Sequence, residues 1–328
     1  MFEVISPGPF TTVQDRGRPG YYAGGFPPSG ALDRYSHDAA NAVLGNHPDA
    51  ATLEVTFHGP VLRFEADALV ALTGAQVEAD LDGVAVPGWR SQPVRRGQTL
   101  RIGPTLDGAR AYLAVRGGVD VPSVMGSRST YVTSKIGGVR GRPLAVGDRL
   151  GLADQVLEGS RSLPGVRIPD ELRPAQGGSH EIRVVPGLCD YRLTGAAQQT
   201  LYSTPYQIDA ESNRTGYRLK GEPLTFVERD APFGAGSDPS NVVNLGYPVG
   251  SIQVPNGGEL ICLLRDAVTG GGYATVGTVI SADVDVLARS ASPDEVLFVP
   301  VDIDVAIAER SRRSRRVDWI ADLYAGRL

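Results

Sequence analysis

Gln14, Asp15, Arg16, Arg18 and Asp33 fall in a segment broken by five glycines (Gly17, Gly20, Gly24, Gly25, Gly30) and three prolines (Pro19, Pro27, Pro28). Such a segment cannot continue as regular helix or strand, and a long irregular stretch inside a compact domain tends to be a functional loop. Its fixed charges could orient and polarise a substrate, and its carboxylates could take a proton. A second cluster runs from Arg116-Gly117-Gly118 through Gly126-Ser127-Arg128-Ser129-Thr130 to Gly137-Gly138 and Gly141-Arg142. Backbone N–H groups of glycine-rich turns form anion-binding nests, and Ser127, Arg128 and Ser129 suit a phosphate or carboxylate. No P-loop signature accompanies them.

Two further clusters lie in the second half. Arg214 and Arg218 are four apart and share a face whether the segment is helical or extended, so two guanidinium groups could clamp a planar carboxylate or amide. Gln253 stands in an apolar strand, where a buried amide must find partners, and Asp266 precedes Gly270-Gly271-Gly272-Tyr273 as a carboxylate on a rim. Each cluster also has a plain structural reading. Asp15 could pin a turn through Arg16 or Arg18, the arginines could form surface ion pairs, and Asp266 could start a turn. No nucleophile stands with a base. The chemistry available is that of carboxylates, amides and arginines acting on a polar substrate.

The elements that must position these groups read mainly as short strands. Ala68–Thr73 is an apolar run ending at Gly74, Glu78–Asp82 leads into an Asp82-Gly83 turn, and Thr99–Gly103 and Ala111–Val115 follow as separate strands. One helix is evident over Asp33–Leu44, with Asp33 as N-cap and Gly45 as stop. Breakers between 154 and 180 mark a linker. Beyond it the spacing predicts strands at Glu181–Val185, Leu224–Glu228, Gly250–Val254, Leu260–Leu264, Thr275–Ile280 and Glu295–Pro300, then a helix over Asp302–Tyr324. With 41 glycines and 24 prolines in 328 residues, many short strands fit better than long helices.

A net charge of −5 argues against a general nucleic-acid binder. The one basic run, Arg310 to Arg316, reads as a solvated helix face. Cys189 and Cys262 offer neither metal spacing nor a disulfide framework, and the four histidines are scattered, so no metal site is expected. Cys262 lies in an apolar run as a small buried hydrophobe. With no signal-like start and no 18-residue apolar stretch, a cytoplasmic protein without membrane contact is expected.

In their order along the chain these segments resemble the KipA-type family, also described as allophanate hydrolase subunit 2, as biotin-dependent carboxyltransferase-like, or as the type of the C component of 5-oxoprolinase. The resemblance is carried by Thr11–Tyr21 with Ser29-Gly30 and Asp33, Asn41–Asn46, Leu53-Glu54-Val55, Leu72–Ala75, Arg110–Val119, Gly126–Thr130, Gly147-Asp148, Asn213–Leu219, Ile252–Pro255, Thr269–Tyr273 and Val279–Asp283. It implies a mainly β fold of cyclophilin-like β-barrel architecture, in two β-rich subdomains with few helices. The expected division is 1–155 for a carboxyltransferase-like subdomain, 156–180 for the linker, 181–305 for a cyclophilin-like subdomain and 306–328 for a helical tail.

The resemblance further implies a subunit of an ATP-dependent amide or lactam hydrolase complex, working on a small amide with a KipI-like (allophanate hydrolase subunit 1) partner. Its alternatives are the carboxyltransferase of a urea carboxylase, served by carboxybiotin, or a non-catalytic regulatory subunit that binds a kinase inhibitor. Peptidyl-prolyl isomerisation would rest on fold analogy alone. ATP is expected at the level of the complex, and the substrate (5-oxoproline, allophanate, urea or another) stays open. Asp15, Gln14 and Asp266 are the expected catalytic residues, Asp15 or Asp266 serving as general base across a cleft between the halves. Arg16, Arg18, Ser127, Arg128, Ser129, Arg214, Gln253 and Tyr273 are the expected substrate-binding residues. Three departures stand out. Ala267 and Val268 replace an Arg and a Gln common in the family, Asn244 replaces a Ser, and Tyr131 replaces an Asp.

Overall fold

The structure, a computed structural model, describes residues 1–160, 163–175, 177–230 and 232–325. The chain divides into two compact units, one built from Met1–Arg18, Ser29–Gln176 and the end of the chain from Arg313, the other from Pro19–Pro28 and Gly177–Arg312. The fold is mainly β, with four α-helices among the described residues.

Unit 1 is a ten-stranded sheet with two covered faces. Its spine is the strand Thr99–Val115, which pairs with Thr52–Thr56, Val61–Phe64 and Ala68–Leu81. At its start this strand alternates between buried and more exposed residues, and from Ala109 every residue is buried. The change follows from what lies on each side. Leu113 and Val115 point into a core with Val4, Leu53, Val70 and Leu72. Ala114 points the other way, with Leu69 and Ala71, under helix α1 (Arg34–Val43). The period of two thus assigns each residue to one core or the other.

Two expected boundaries disappear. Gly74 does not end a strand, because Ala68–Leu81 continues through it, and Thr99–Gly103 and Ala111–Val115 are one strand. Gly74 has φ +88°, and a Cβ there would lie 2.6 Å from the Arg110 carbonyl oxygen, so this glycine marks the first of the register shifts between the two strands. Helix α1 has the expected cap: the Asp33 side chain accepts from Ser36 N at 3.1 Å, and Gly45 follows with φ +64°.

Unit 2 is a closed seven-stranded barrel in the order Ser179–Pro186, Thr275–Val279, Ser251–Gln253, Leu260–Leu263, Gly216–Lys220, Tyr206–Ile208 and Glu295–Pro300. The first and last strands pair in parallel, Ile182 opposite Phe298, and close it. A separate two-stranded ribbon joins Asn241–Gly246 to Gly270–Tyr273. Helices α2 (Gly195–Ser203) and α3 (Ser281–Arg289) complete the unit.

The expected strand at Leu224–Glu228 is not formed. Only an isolated bridge joins Phe226 to Leu193, because Leu224 N donates to Gly257 O and Val227 N to Arg192 O, in two different loops. Helix α4 (Ile303–Ala325) takes the expected place, yet its basic run is not simply solvated. Arg313 reaches Asp38 at 3.5 Å, and the Arg316 guanidinium lies 4.9 Å above the Tyr35 ring while donating to Glu171 O. These two arginines precede the buried Ile320 on the same stripe of the helix.

Candidate functional site

The strand Phe10–Gln14 ends beside the segment 127–130, which is laid against it by the hydrogen bond from Thr130 N to Val13 O at 2.9 Å. At this end the chain turns through Gly17, and the Asp15 carboxylate is enclosed by four donors. They are Gly17 N at 2.8 Å, Ser127 Oγ at 2.7 Å, Arg128 N at 2.5 Å and Ser129 Oγ. The Asp15 amide in turn donates to Ser129 Oγ at 3.2 Å. Ser127, Arg128 and Ser129, expected to suit a phosphate or carboxylate, thus face a carboxylate of the protein's own, Asp15. Ser127, Ser129 and the Arg128 amide face this carboxylate, so the segment does not fit an ATP phosphate in this arrangement. A carboxylate so engaged is suited to holding two loops together, while a general base needs a lone pair open to its substrate.

The neighbouring residues divide between the same task and others. Arg18, fully buried, donates from Nη2 to Ser129 O at 2.5 Å. Gln14 donates from Nε2 to Thr12 Oγ1 at 3.0 Å and Thr130 O at 3.1 Å, while its buried Oε1 has no partner among the described residues. Arg16 turns to helix α1 instead, with Nε 3.0 Å from Asp38 Oδ1. Burial works to raise the Asp38 carboxyl, but His37, Arg16 and Arg313 outweigh it and hold it below the usual carboxylate range. Burial pushes the adjacent His37 imidazole down, towards its neutral form.

A further buried network fixes the return of the opening segment. Glu54 Oε2 accepts from Leu32 N at 2.9 Å and Tyr112 OH at 2.8 Å, and the Tyr112 oxygen accepts from Asp33 N at 2.8 Å. Neither Glu54 nor Tyr112 was expected in this role. The available signal was a carboxylate in the otherwise apolar or small strand Thr52–Thr56, every residue of which but the last is buried. Gly30 closes the contact from the other side: a Cβ there would lie 2.7 Å from Gly17 N.

In unit 2 the expected residues fall into two groups. Arg214 and Asp266 form a bidentate pair, Nε to Oδ2 at 2.7 Å and Nη2 to Oδ1 at 3.1 Å, with both side chains more than nine-tenths buried. Arg218 does not join Arg214 in a clamp. Arg214 lies in the loop ahead of the strand Gly216–Lys220, whereas Arg218 sits on that strand, half exposed, and pairs with Glu259 at 2.7 Å. The expectation of a shared face assumed one continuous element, and the element begins between them.

The second group is built around Tyr247, which the sequence did not single out. Its hydroxyl donates to Tyr273 O at 2.9 Å, accepts from Tyr273 N at 2.7 Å and is hydrogen-bonded to the Gln253 side chain. Tyr22 OH donates to the Tyr247 carbonyl at 2.5 Å. Gln253, buried as expected, thereby has its partner. Burial, the largest influence, raises the Tyr247 phenol above the ordinary tyrosine range. Gly271 passes beneath the ring, where a Cβ would lie 2.9 Å from Tyr247 Cε2. Of the departures, Ala267 is buried in a small apolar cluster with Tyr247 and Leu263, whereas Val268 is exposed. The first therefore packs under the tyrosine, and the second alters only surface.

Among the described residues no group of three or more His, Cys, Asp or Glu could hold a metal ion, and no helix is long and apolar enough to cross a membrane.

Comparison with known proteins fits this architecture. The chain is 37% identical to the C component of 5-oxoprolinase from Escherichia coli strain K12 over 323 residues, which cover 98% of each chain. It is 33% identical to urea amidolyase of Saccharomyces cerevisiae over 305 residues, 91% of this chain and 16% of that much longer protein. The crystal structure of the K. lactis urea amidolyase superimposes with a TM-score of 0.92 at 31% identity, covering 97% of this chain and 20% of that one. Residues 24–300 match the family model described as carboxyltransferase domain, subdomain A and B. With the fold, the ordered motifs and these matches in agreement, the chain belongs to the carboxyltransferase family of subdomains A and B, together with the C components of 5-oxoprolinase.

Proposed function

We propose that this chain is the C component of an ATP-dependent complex that hydrolyses the C–N bond of a small cyclic amide, 5-oxoproline being the first candidate. The observation that carries this reading is the 37% identity to a 5-oxoprolinase component along 98% of both chains. A KipI-like protein is the proposed partner, the complex is hetero-oligomeric, and it works in the cytoplasm where ATP is available. ATP would activate the amide for attack. Because the Asp15 nest is closed on itself, ATP binding falls to the partner subunits in this reading. Within unit 1, Gln14 and Arg16 are the polar groups proposed for the substrate, and Asp15 holds the loops that present them.

The test is ATP-dependent hydrolysis of 5-oxoproline by the chain reconstituted with its partner subunits. Turnover that requires all components supports the proposal, and a complex that forms without turning over the lactam overturns it in favour of a regulatory subunit. A second reading, carboxyl transfer from carboxybiotin to urea, is favoured by the TM-score of 0.92 against the K. lactis urea amidolyase. Urea carboxylation with a biotinylated carrier protein distinguishes it.

A further inference from the structure

Away from the Asp15 nest, unit 1 carries a cavity of about 580 Å³ whose lining includes Lys135, Gly137, Gly138, Arg140, Arg149 and Asp120. Val121, Val124, Ile136, Val139 and Leu150 supply an apolar wall. The cations are not equivalent. Arg149 is paired with Glu65 at 3.0 Å, but neither Lys135 nor Arg140 has a carboxylate partner among the described residues. Asp148, whose field reaches Arg140, is already clasped by both arms of Arg142 at 2.7 and 2.8 Å. Against these cations the lining offers a single carboxylate, Asp120.

The loop bearing the two free cations is held in place. Lys135 and Arg140 both have φ +55°, an unusual backbone for residues with side chains, and Gly137, Gly138 and Gly141 are also left-handed. A Cβ at Gly137 would overlap the Ser129 carbonyl oxygen, and one at Gly138 would overlap Thr130 Oγ1. The loop therefore rests directly on the segment that Asp15 and Arg18 anchor. Two exposed cations without a carboxylate partner, carried on a backbone held in place beside an apolar wall, suit an oxyanion attached to an aliphatic or ring body.

From this arrangement we propose that the cavity binds a small metabolite through its carboxylate or phosphate, with Lys135 and Arg140 as the anion contacts and the apolar wall holding the body. The proposal does not depend on the hydrolase reading, and its test needs no turnover. Calorimetric titration of the full chain with 5-oxoproline, inorganic phosphate and 2-pyrrolidone separates the sources, since 2-pyrrolidone is the same lactam ring without a carboxylate. At least one of the two oxyanions binds saturably and 2-pyrrolidone does not. The Lys135→Asn/Arg140→Asn variant, which keeps a residue tolerant of positive φ, weakens that binding about tenfold or more with an unchanged thermal midpoint. A lowered midpoint would call for the single variants, which must each weaken binding at wild-type stability. Failure of both oxyanions to bind, equal binding of 2-pyrrolidone, or affinity indifferent to these substitutions overturns the assignment, whatever the activity of the complex.

Discussion

Arg214 and Asp266 meet fork to carboxylate, with contacts of 2.7 and 3.1 Å, and the amide of Asp266 also donates to the Arg214 carbonyl at 3.2 Å. Side chain and backbone thus tie the loop before Gly216–Lys220 to the one after Leu260–Leu263. Removing one member of a buried pair leaves an uncompensated charge. Asp266→Ala is therefore expected to cost about 3 kcal/mol of stability, read as a lower midpoint in denaturant unfolding. Arg214→Lys should recover only part of the wild-type value, since an ammonium cannot make both contacts.

The Asp15 nest makes a graded prediction. Ser127→Ala and Ser129→Ala each remove one hydroxyl donor and should cost about 1 kcal/mol. Asp15→Ala strands several buried donors at once and should cost about 3 kcal/mol or more. Chemical denaturation of the three variants checks the order. Equal, small effects would mean that the carboxylate does not hold the loops.

Gly271→Ala should displace Tyr247, because the added methyl would lie 2.9 Å from its ring and 3.2 Å from its hydroxyl oxygen. Overpacking of this kind costs roughly 1–3 kcal/mol. The local signature is a changed near-ultraviolet tyrosine spectrum, with far-ultraviolet circular dichroism preserved.

Alkaline pH offers a test of the barrel core. Burial, with Glu222 nearby, raises the Tyr206 phenol to about 12, and burial raises the Cys262 thiol to about 12. Folding favours the protonated form of each group. Their contributions are complete below the unfolded-state values, near 9 for Cys262 and 10 for Tyr206, and are lost as pH climbs from there towards 12. Stability should fall steeply across that interval. Cys262 should also resist a thiol reagent at pH 8 until denaturant is added.

Arg316→Ala should weaken the attachment of helix α4 by about 1 kcal/mol, through loss of the contact with Tyr35. Hydrogen exchange within residues 313–323 is expected to quicken, while strands elsewhere in unit 1 stay protected. Arg312→Ala, on the exposed side of the same helix, serves as the control.

The sequence made some of this legible and hid the rest for physical reasons. Helix α1 could be read because its cap, its apolar spacing and its stop agree, and Glu295–Pro300 because breakers bound it. The long strands could not, since Gly74 looks the same in sequence whether it ends a strand or bends one. Tyr206–Ile208 is too short to show periodicity, and its pairing with residue 220 on one side and residue 296 on the other is invisible locally. The candidate residues were found where charge and glycine coincide. Their partnerships were not, because Asp15 finds Ser127 and Ser129 more than 110 positions away. The roles of Glu54 and Tyr247 are hidden in sequence because each acquires its partners only on folding.

The parallel seam between Ser179–Pro186 and Glu295–Pro300 bears on how this protein is made. During synthesis the first barrel strand emerges more than a hundred residues before its neighbour in the seam. Until Pro300 has left the ribosome, the open barrel exposes the ladder groups of Ile182 and its neighbours as an unprotected edge. A chain cut short of Glu295 would carry that open edge permanently, together with the edge of Tyr206–Ile208 that the last strand also covers. Nonsense truncations late in the coding sequence should therefore yield sticky, aggregating fragments rather than a slightly smaller unit 2.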